Sequence, residues 1–551
     1  MSESAAKSSQ LNSASLNQGS SSTPFWAATC WAVVAILPLI AFYAAHFLQK
    51  GVPLGFVLAD LPYYPANGRE VFERGNGLLY PNPYDPNPDA PVIYFHWLIW
   101  LLGVGIVKFG FDPGIQFVVI GLIASVISAF LTFRIVEFVL PTRRLLGLLY
   151  LLTMWGGGIF ALFTMAANLG TGAPVTHDLT RHMPFGGYWF LSWGINHILP
   201  TEAVYHALVA ATWLMLLKNH HWGAVSAVAV LAATHPFAGL QHLIGVGGWL
   251  GLLFLKQRNS ASFKPPFAVA CILTLFLFYY IVYLPSFEAH ALLQKDWSLT
   301  WILTRRTLIL AYAPICAAAI YRLILDRDWM NPKISIFAVS FIFSFLLAKH
   351  ELWTNPKQPV HFTHGYLWMP LCLIALPAIQ KDLVTLRDGG SRFRRSAITA
   401  AFVMVSTSDN IGWMFSEWPR HSGSQEVSSL KESEPFVLTE NQWKLIRFMN
   451  TTFDDGYVLC TDPEVSYLLP TYSRLSVYVG HFVNTPEIDR RRENVTAWKQ
   501  SGEHDGWLED ITHIVIDEKK DADLLSREWN IVYSNPDYSV YQRVGAGSNS
   551  Q

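Results

Sequence analysis

The chain has 551 residues, 52% of them hydrophobic and 14% aromatic, with only 14% charged and a mean hydropathy of +0.27. A soluble globular domain carries about 25% charged residues, so this much apolar surface exceeds what one soluble core can hide and requires lipid as part of its solvent. The formal net charge of −1 gives no electrostatic footprint for nucleic acid. The five cysteines (Cys30, Cys271, Cys316, Cys372, Cys460) show neither CxxC spacing nor a disulfide framework, which leaves them as buried thiols.

Residues 1–23 are rich in Ser, Asn and Gln and contain no apolar run, the composition of a disordered cytoplasmic tail. Phe25 to Leu48 follows as an apolar stretch too long for a signal-peptide core and long enough to span a bilayer. Ten further apolar runs lie near 114–136, 145–167, 198–217, 222–236, 239–255, 266–285, 300–321, 334–348, 365–380 and 396–413. The expected fold is therefore an α-helical polytopic membrane protein with about eleven transmembrane helices, a figure set by the usual length of a spanning segment. Lys and Arg concentrate in alternate loops (Arg134, Arg143, Arg144; Lys256, Arg258, Lys264; Arg387 to Arg395), and this asymmetry places the N-terminus inside.

The orientation holds only if Ile93 to Phe109 does not span. That segment is short, Trp-rich and contains His96, features of an in-plane helix at the outer interface. The first external loop then runs over 49–113, and long loops of this kind are usually functional. The short runs at 222–236 and 239–255 meet at Thr234-His235-Pro236, which reads as a broken or re-entrant pair near the outer face. The transmembrane domain closes at 413. From 414 to 551 the composition turns polar, with strand-like runs such as YVLC, HIVID and NIVYS between helical ones: a small C-terminal α/β domain outside the membrane.

The chemistry-bearing residues gather on the external side. Asp60 sits where the first helix meets the outer face, and desolvation there would raise its basicity, suiting a general base or a metal ligand. The alternative is an N-cap for the following helix. In the second external loop, His177, Asp178, Arg181 and His182 form HD-x-x-RH, whose four-residue spacings share a face on a helix. Glu202 and His206 lie one turn apart. His235 and His242 flank the broken pair, Arg305 and Arg306 open a helix, and Glu351, His361 and His364 lie in the last external loop. No HExxH, DxD, Walker or GxGxxG pattern is present. Acids, imidazoles and arginines collected on one face of a hydrophobic bundle suit a phosphoryl-bearing lipid substrate.

This layout resembles the GT-C superfamily of membrane glycosyltransferases, which take sugars from polyprenyl-phosphate donors. The resemblance rests on a first helix ending in Asp60, a long external loop with in-plane helices at Ala66–Arg74 and Val92–Phe109, and the YP…P stretch of Tyr80-Pro81, Pro83 and Pro91. It extends to the Arg143-Arg144 helix end, the Thr234-His235-Pro236 break, and the tail with Gly480-His481 and Thr485-Pro486. In that family the acid after the first helix binds a divalent metal ion or acts as base on the acceptor, and the match falls on Asp60. Many relatives carry paired acids there, whereas Asp60 is followed by Leu61-Pro62, so Asp178 and Glu351 are the candidates for a second catalytic acid. The resemblance implies a membrane glycosyltransferase of the cell envelope. It would move a sugar by an inverting mechanism from a polyprenyl-phosphate donor to a glycan, lipid or protein acceptor. Arg181, Arg305, Arg306, His235 and His242 would meet the lipid phosphate. A ligase or polymerase of lipid-linked glycans, and a transporter without chemistry, are the rival classes; the transporter would call for internal repeats, which the sequence does not show.

Overall fold

The computed structural model describes residues 22–184, 191–296, 301–325, 331–388, 390–423, 436–502, 506–517 and 528–545, with 504 and 525. The N-terminal tail and most of the PFGGYWF stretch lie outside them.

Each of the eleven apolar runs falls on helix. The first, α1 (Phe25–Phe47), is apolar all round, but its two sides differ in size. Ala28, Ala32, Ala35, Leu39 and Phe42 recur at helical spacing and are buried, while Val33, Val34, Leu37 and Ile40 are exposed. Small residues let the neighbouring backbone approach, as in membrane helix pairs, and the larger ones are left for lipid. After α2 (Tyr63–Glu73) and α3 (Trp97–Gly103) comes α4 (Pro113–Val139), started by an Asp112 side chain that accepts from the Ile115 amide at 2.9 Å and by Pro113 in the first turn. Its stripe of Gly121, Ala124, Ser125, Ser128 and Ala129 is buried. A Cβ at Gly121 would lie 2.8 Å from the Pro200 backbone, so this glycine is what allows α4 to close on α7.

Among the described residues, six helices are long and apolar enough to cross a membrane: Phe25–Phe47, Pro113–Val139, Pro236–Gln257, Ser262–Ser286, Arg305–Leu325 and Trp368–Asp388. A seventh span arises if α5 (Leu146–Trp155) and α6 (Phe160–Thr171), which meet at a 72° bend, count as one. The bend lies at Gly156-Gly157-Gly158, and the exposed start of α6 is satisfied by buried Asp409, whose Oδ1 accepts from the Ala161 amide at 2.8 Å. The remaining runs form shorter or more polar helices, α7 (Pro200–Leu217), α8 (His221–Ala232), α13 (Pro332–Ala348) and α15 (Arg392–His421). Length and apolarity thus support six or seven spans rather than eleven.

The Trp-rich segment is short. Helix α3 and the π turn that continues it (Val104–Lys108) together cover 97–108, about 18 Å at 1.5 Å per residue against about 30 Å of hydrocarbon. It packs instead on α2, where Gly68 and Gly103 bring the two backbones together: a Cβ at Gly103 would lie 2.9 Å from the Gly68 carbonyl carbon.

Helices α9 (Pro236–Gln257), α10 (Ser260–Leu277), α11 (Glu288–Asp296), α12 (Arg305–Leu325) and α14 (Trp368–Asp388) complete the bundle. The expected domain boundary at 413 falls inside α15, which runs on to His421. The polar composition there has another cause: Glu417, Arg420 and His421 face an internal cavity.

The C-terminal unit begins with a short antiparallel pair, β1 (Val52–Pro53) of the first external loop with β2 (Val437–Leu438). Beyond α16 (Glu440–Thr452), α17 (Pro463–Tyr472) and α18 (Ile488–Ser501) it forms a five-stranded sheet. The strands are β3 (Tyr457–Cys460), β4 (Ser476–Val477), β5 (His513–Ile516), β6 (Trp529–Ser534) and β7 (Ser539–Arg543), in the order β4-β3-β5-β7-β6. The β4-β3-β5 half is parallel and the β5-β7-β6 half antiparallel. A small α/β layer after a helical bundle is what the composition shift indicated.

Candidate active site

The chain leaving α1 is turned back by His46, whose Nε2 accepts from the Gly55 amide at 3.0 Å. Gly55 has φ +83, and a Cβ there would press on Val118 and the Gly114 carbonyl, so glycine is required for the turn. The returning strand delivers Asp60 one turn ahead of α2. Asp60 does not cap that helix, since Pro62 holds the cap position. Nor is it desolvated: its side chain is 57% exposed, opening into a cavity of about 650 Å³. The burial expected of Asp60 is therefore absent, and the carboxylate stands at the cavity wall.

The partner of Asp60 comes from the C-terminal unit. His481 Nε2 lies 3.3 Å from Asp60 Oδ1. The other ring nitrogen, Nδ1, accepts from the main-chain amides of Val483 (3.1 Å) and Asn484 (3.2 Å) and from the Asn484 side chain (2.9 Å). Three donors on Nδ1 fix the proton on Nε2, so His481 donates to the carboxylate. The loop holding His481 is itself clamped. Tyr63, Tyr84 and Tyr467 rings surround the imidazole at 5.3–5.8 Å, and Gly480 approaches Tyr84 more closely than any side chain could. Asn82 donates to the Asn484 carbonyl at 2.7 Å, Thr471 to the Pro62 carbonyl at 3.0 Å, and Tyr467 to the Ala59 carbonyl. These bonds join the C-terminal unit to the first external loop on both sides of Asp60.

Two further polar groups line the same cavity. At the end of α15, Arg420 lies 3.3 Å from Glu417; it is the one arginine of the lining among the described residues. The lining also holds His235, His361 and His364, with ring centroids 5.3–6.3 Å apart. His235 caps α9, its Nδ1 accepting from the Ala238 amide at 3.1 Å, and His96 caps α3 in the same way through the Ile99 amide at 3.3 Å. Both stand at helix starts, and in both the cap leaves Nε2 as the protonated nitrogen. Burial pushes His96 down to about 3, and burial followed by the neighbouring His364 pushes His361 down to about 3, so both are neutral at ordinary pH. Between the polar groups the wall is apolar, from Leu58, Ile198, Leu199, Phe237, Leu293 and Trp413. Apolar walls with a few convergent polar groups characterise ligand sites.

Of the residues singled out in the sequence, Asp60, His96, His235, His361, His364 and His481 line this cavity. His242 does not: it is buried on α9 between the rings of Trp213 and Tyr366. Asp178 and Arg181 are exposed on a run of turns at 174–183, where Asp178 has φ +41. The HD-x-x-RH spacing forms no helix there, because the run is built of three-residue steps, His177 N to Pro174 O and Arg181 N to Asp178 O. Arg305 and Arg306 are exposed at the start of α12, Arg306 lying 4.8 Å over the Phe163 ring. Glu351 pairs with Lys349, outside the lining. Glu417 and Arg420 were not singled out, and no local signal joined them with His361, His364 and His481 into one group, since the five converge from separate segments.

The donor set around Asp60 does not suit a metal ion. Its near neighbour His481 presents an N–H rather than a lone pair, and among the described residues no three His, Cys, Asp or Glu side chains come together as a metal site.

No protein-family model matches the chain, and no curated protein does. Among solved structures the chain is similar to ArnT from Cupriavidus metallidurans in the apo state. That match has 11% sequence identity and a TM-score of 0.46, covering 94% of this chain and 98% of that one.

Proposed function

We propose that the chain is a membrane glycosyltransferase that moves a sugar from a polyprenyl-phosphate donor to an extracytoplasmic acceptor, with inversion at the anomeric carbon and without a metal-dependent step. The observation that carries this reading is Asp60, held by the His481 N–H in a cavity lined by apolar side chains and a few polar groups. The GT-C resemblance of the first external loop points to the same residue.

In this mechanism Asp60 accepts the proton of the acceptor hydroxyl as the acceptor oxygen attacks the anomeric carbon. The anomeric C–O bond breaks with its electron pair passing to the phosphate, which leaves as polyprenyl phosphate carrying one more negative charge. His481 orients the carboxylate and leaves its second oxygen for the acceptor. Arg420 and the imidazoles of the cavity lining meet the charge that develops on the phosphate. These cavity-lining groups take the role that the sequence suggested for Arg181, Arg305 and Arg306. With the N-terminus inside, the cavity and the C-terminal unit face the extracytoplasmic side.

Asp60→Asn preserves shape and removes the base. Loss of a positioned base lowers rates about 10²–10⁴-fold, so lipid-linked donor should accumulate in cells making the variant and sugar transfer by the purified protein should nearly vanish. Full transfer by a stably expressed Asp60→Asn protein would defeat the reading.

A further inference from the structure

A second pocket, of about 310 Å³, lies where α2 and the π turn at Val104–Lys108 meet the C-terminal unit. Its lining shares no residue with the cavity that holds Asp60. It opens between Arg69 and Glu73 of α2, Ile106 and Val107 of the π turn, and Arg474, two residues past α17.

The charges here do not balance. Arg69 Nη2 donates to Glu73 Oε1 at 2.8 Å, and Arg474 Nε lies 3.4 Å from the same oxygen. Two guanidinium groups share one carboxylate, leaving one positive charge. The side chains of Arg69 and Glu73 are largely buried, so water screens that charge little. The donors are unmatched as well: a guanidinium has five N–H groups, and the buried Nε of Arg69 has no acceptor among the described residues. Asp454 stands at the rim, exposed to water, where a carboxylate counts for less. An oxyanion with a single negative charge is the group that completes such a pair of arginines.

The surface beside the pocket indicates where that oxyanion comes from. Past Ile106 and Val107 the chain continues into exposed Lys108, then into Phe109 and Phe111, both exposed, with rings stacked at 5.7 Å. From there α4 carries Ile115, Val119, Ile123 and Ile127 at four-residue spacing, each about half exposed. On a helix long and apolar enough to span, that stripe faces lipid, and aromatic rings at its end mark the interface. A cationic pocket thus stands at headgroup level, at the head of an apolar track.

We infer that this pocket seats the phosphodiester of a bilayer phospholipid, with an acyl chain lying along Phe109, Phe111 and the α4 stripe. A phosphodiester carries one negative charge, which matches the single positive charge left by Arg69, Arg474 and Glu73. The site is separate from the sugar-transfer cavity and does not rest on the transferase reading. Arg474 belongs to the C-terminal unit that supplies His481, and Arg69 to the helix that follows Asp60. A lipid phosphate bridging the two arginines holds that unit against the first external loop.

The test is equilibrium binding to the delipidated full-length protein in detergent. The probes are dioleoyl phosphatidylglycerol, dioleoylglycerol, which lacks the phosphate, and glycerol phosphate, which lacks the chains. Phosphatidylglycerol should bind most tightly. Arg69→Gln and Arg474→Gln should each weaken it about 10- to 100-fold, the worth of one hydrogen bond to a charged group, and leave dioleoylglycerol unchanged. Glu73→Gln removes the negative charge and keeps an acceptor for both arginines, so it should hold or raise the affinity. A photoreactive acyl chain should label residues 109–127. Glycerol phosphate binding as tightly as the lipid would assign the pocket to a free phosphate ester and overturn the lipid seat. Unchanged lipid affinity in folded Arg474→Gln, or labelling confined to the Asp60 cavity, would overturn it too. A loss in Glu73→Gln equal to that in Arg474→Gln would reduce the cluster to an ion-paired staple between α2 and the C-terminal unit. If Arg69→Gln fails to fold, Arg474→Gln carries the test, since its side chain is more than half exposed. Asp60→Asn should bind phosphatidylglycerol as before, whatever it does to sugar transfer, so the two readings stand or fall separately.

Discussion

Two aspartates touched by the C-terminal unit are treated in opposite ways. Asp462 is buried at the start of α17, where Oδ1 accepts from the Glu464 and Val465 amides at 2.9 and 3.2 Å. Its Oδ2 accepts from the Tyr538 hydroxyl at 2.5 Å and the Gln442 amide at 3.1 Å. Both oxygens are saturated by donors, and the group has no capacity left for a substrate. Asp60 has a single hydrogen-bond partner among the described residues, His481, and is otherwise open to the cavity. A carboxylate surrounded by donors stabilises a fold, whereas one steered by a single donor keeps an oxygen for chemistry.

Breaking each pair separately should give effects of different kinds. The largest is expected at the cavity. His481→Ala removes a hydrogen bond to a charged group, about 1.5–3 kcal/mol, and should lower the sugar-transfer rate of the folded protein about 10- to 100-fold; losing the acceptor of the Val483 and Asn484 amides also lowers the melting temperature. His481→Gln, which keeps a donor on the same side, should recover most of the rate. An equal loss of rate in both folded variants would make His481 a packing residue of the Tyr63–Tyr84–Tyr467 cluster.

At Asp462 the order reverses. Asp462→Ala removes a helix cap and strands the Tyr538 hydroxyl, together about 2–4 kcal/mol. Thermal unfolding followed by tryptophan fluorescence should show the loss, and transfer by the protein that remains folded should be close to normal. A stable but inactive Asp462→Ala would contradict the contrast drawn between the two acids.

The smallest effect is one of pH and concerns the sheet. His513 is buried on β5 with the Phe453 ring 4.1 Å away, and burial pushes it down to about 4. The unfolded chain takes up this proton near pH 6.5 and the folded one only near 4. The contribution of neutral His513 is therefore complete above pH 6.5 and is lost progressively as pH falls toward 4. Melting temperatures measured between pH 7.5 and 4.5 should fall on the acid side, and His513→Asn should flatten that part of the slope. An unchanged slope would place the acid sensitivity elsewhere in the protein.

Local features of the chain determined a good deal by themselves. The eleven apolar runs became helices because apolar length and composition act within each segment, and the Trp-rich run made a helix shorter than the hydrocarbon thickness. The change of composition in the last part announced the α/β unit, and the end of the first helix singled out Asp60. Tertiary structure decided the rest. His481 lies 421 residues from Asp60, and no periodicity or spacing links the two. Polar residues at the end of α15 looked like the start of a new domain until packing turned them into the cavity. The four-residue spacing of His177 to His182 looked helical, yet a chain of tight turns took the segment, moving Asp178 and Arg181 to the surface. Hydrogen bonding on one ring nitrogen sets what a histidine can do, and that partner comes from packing: main-chain amides for His96, His235 and His481. Helices are written in neighbouring residues, while a site made of single side chains from distant segments exists only once the chain has closed around it.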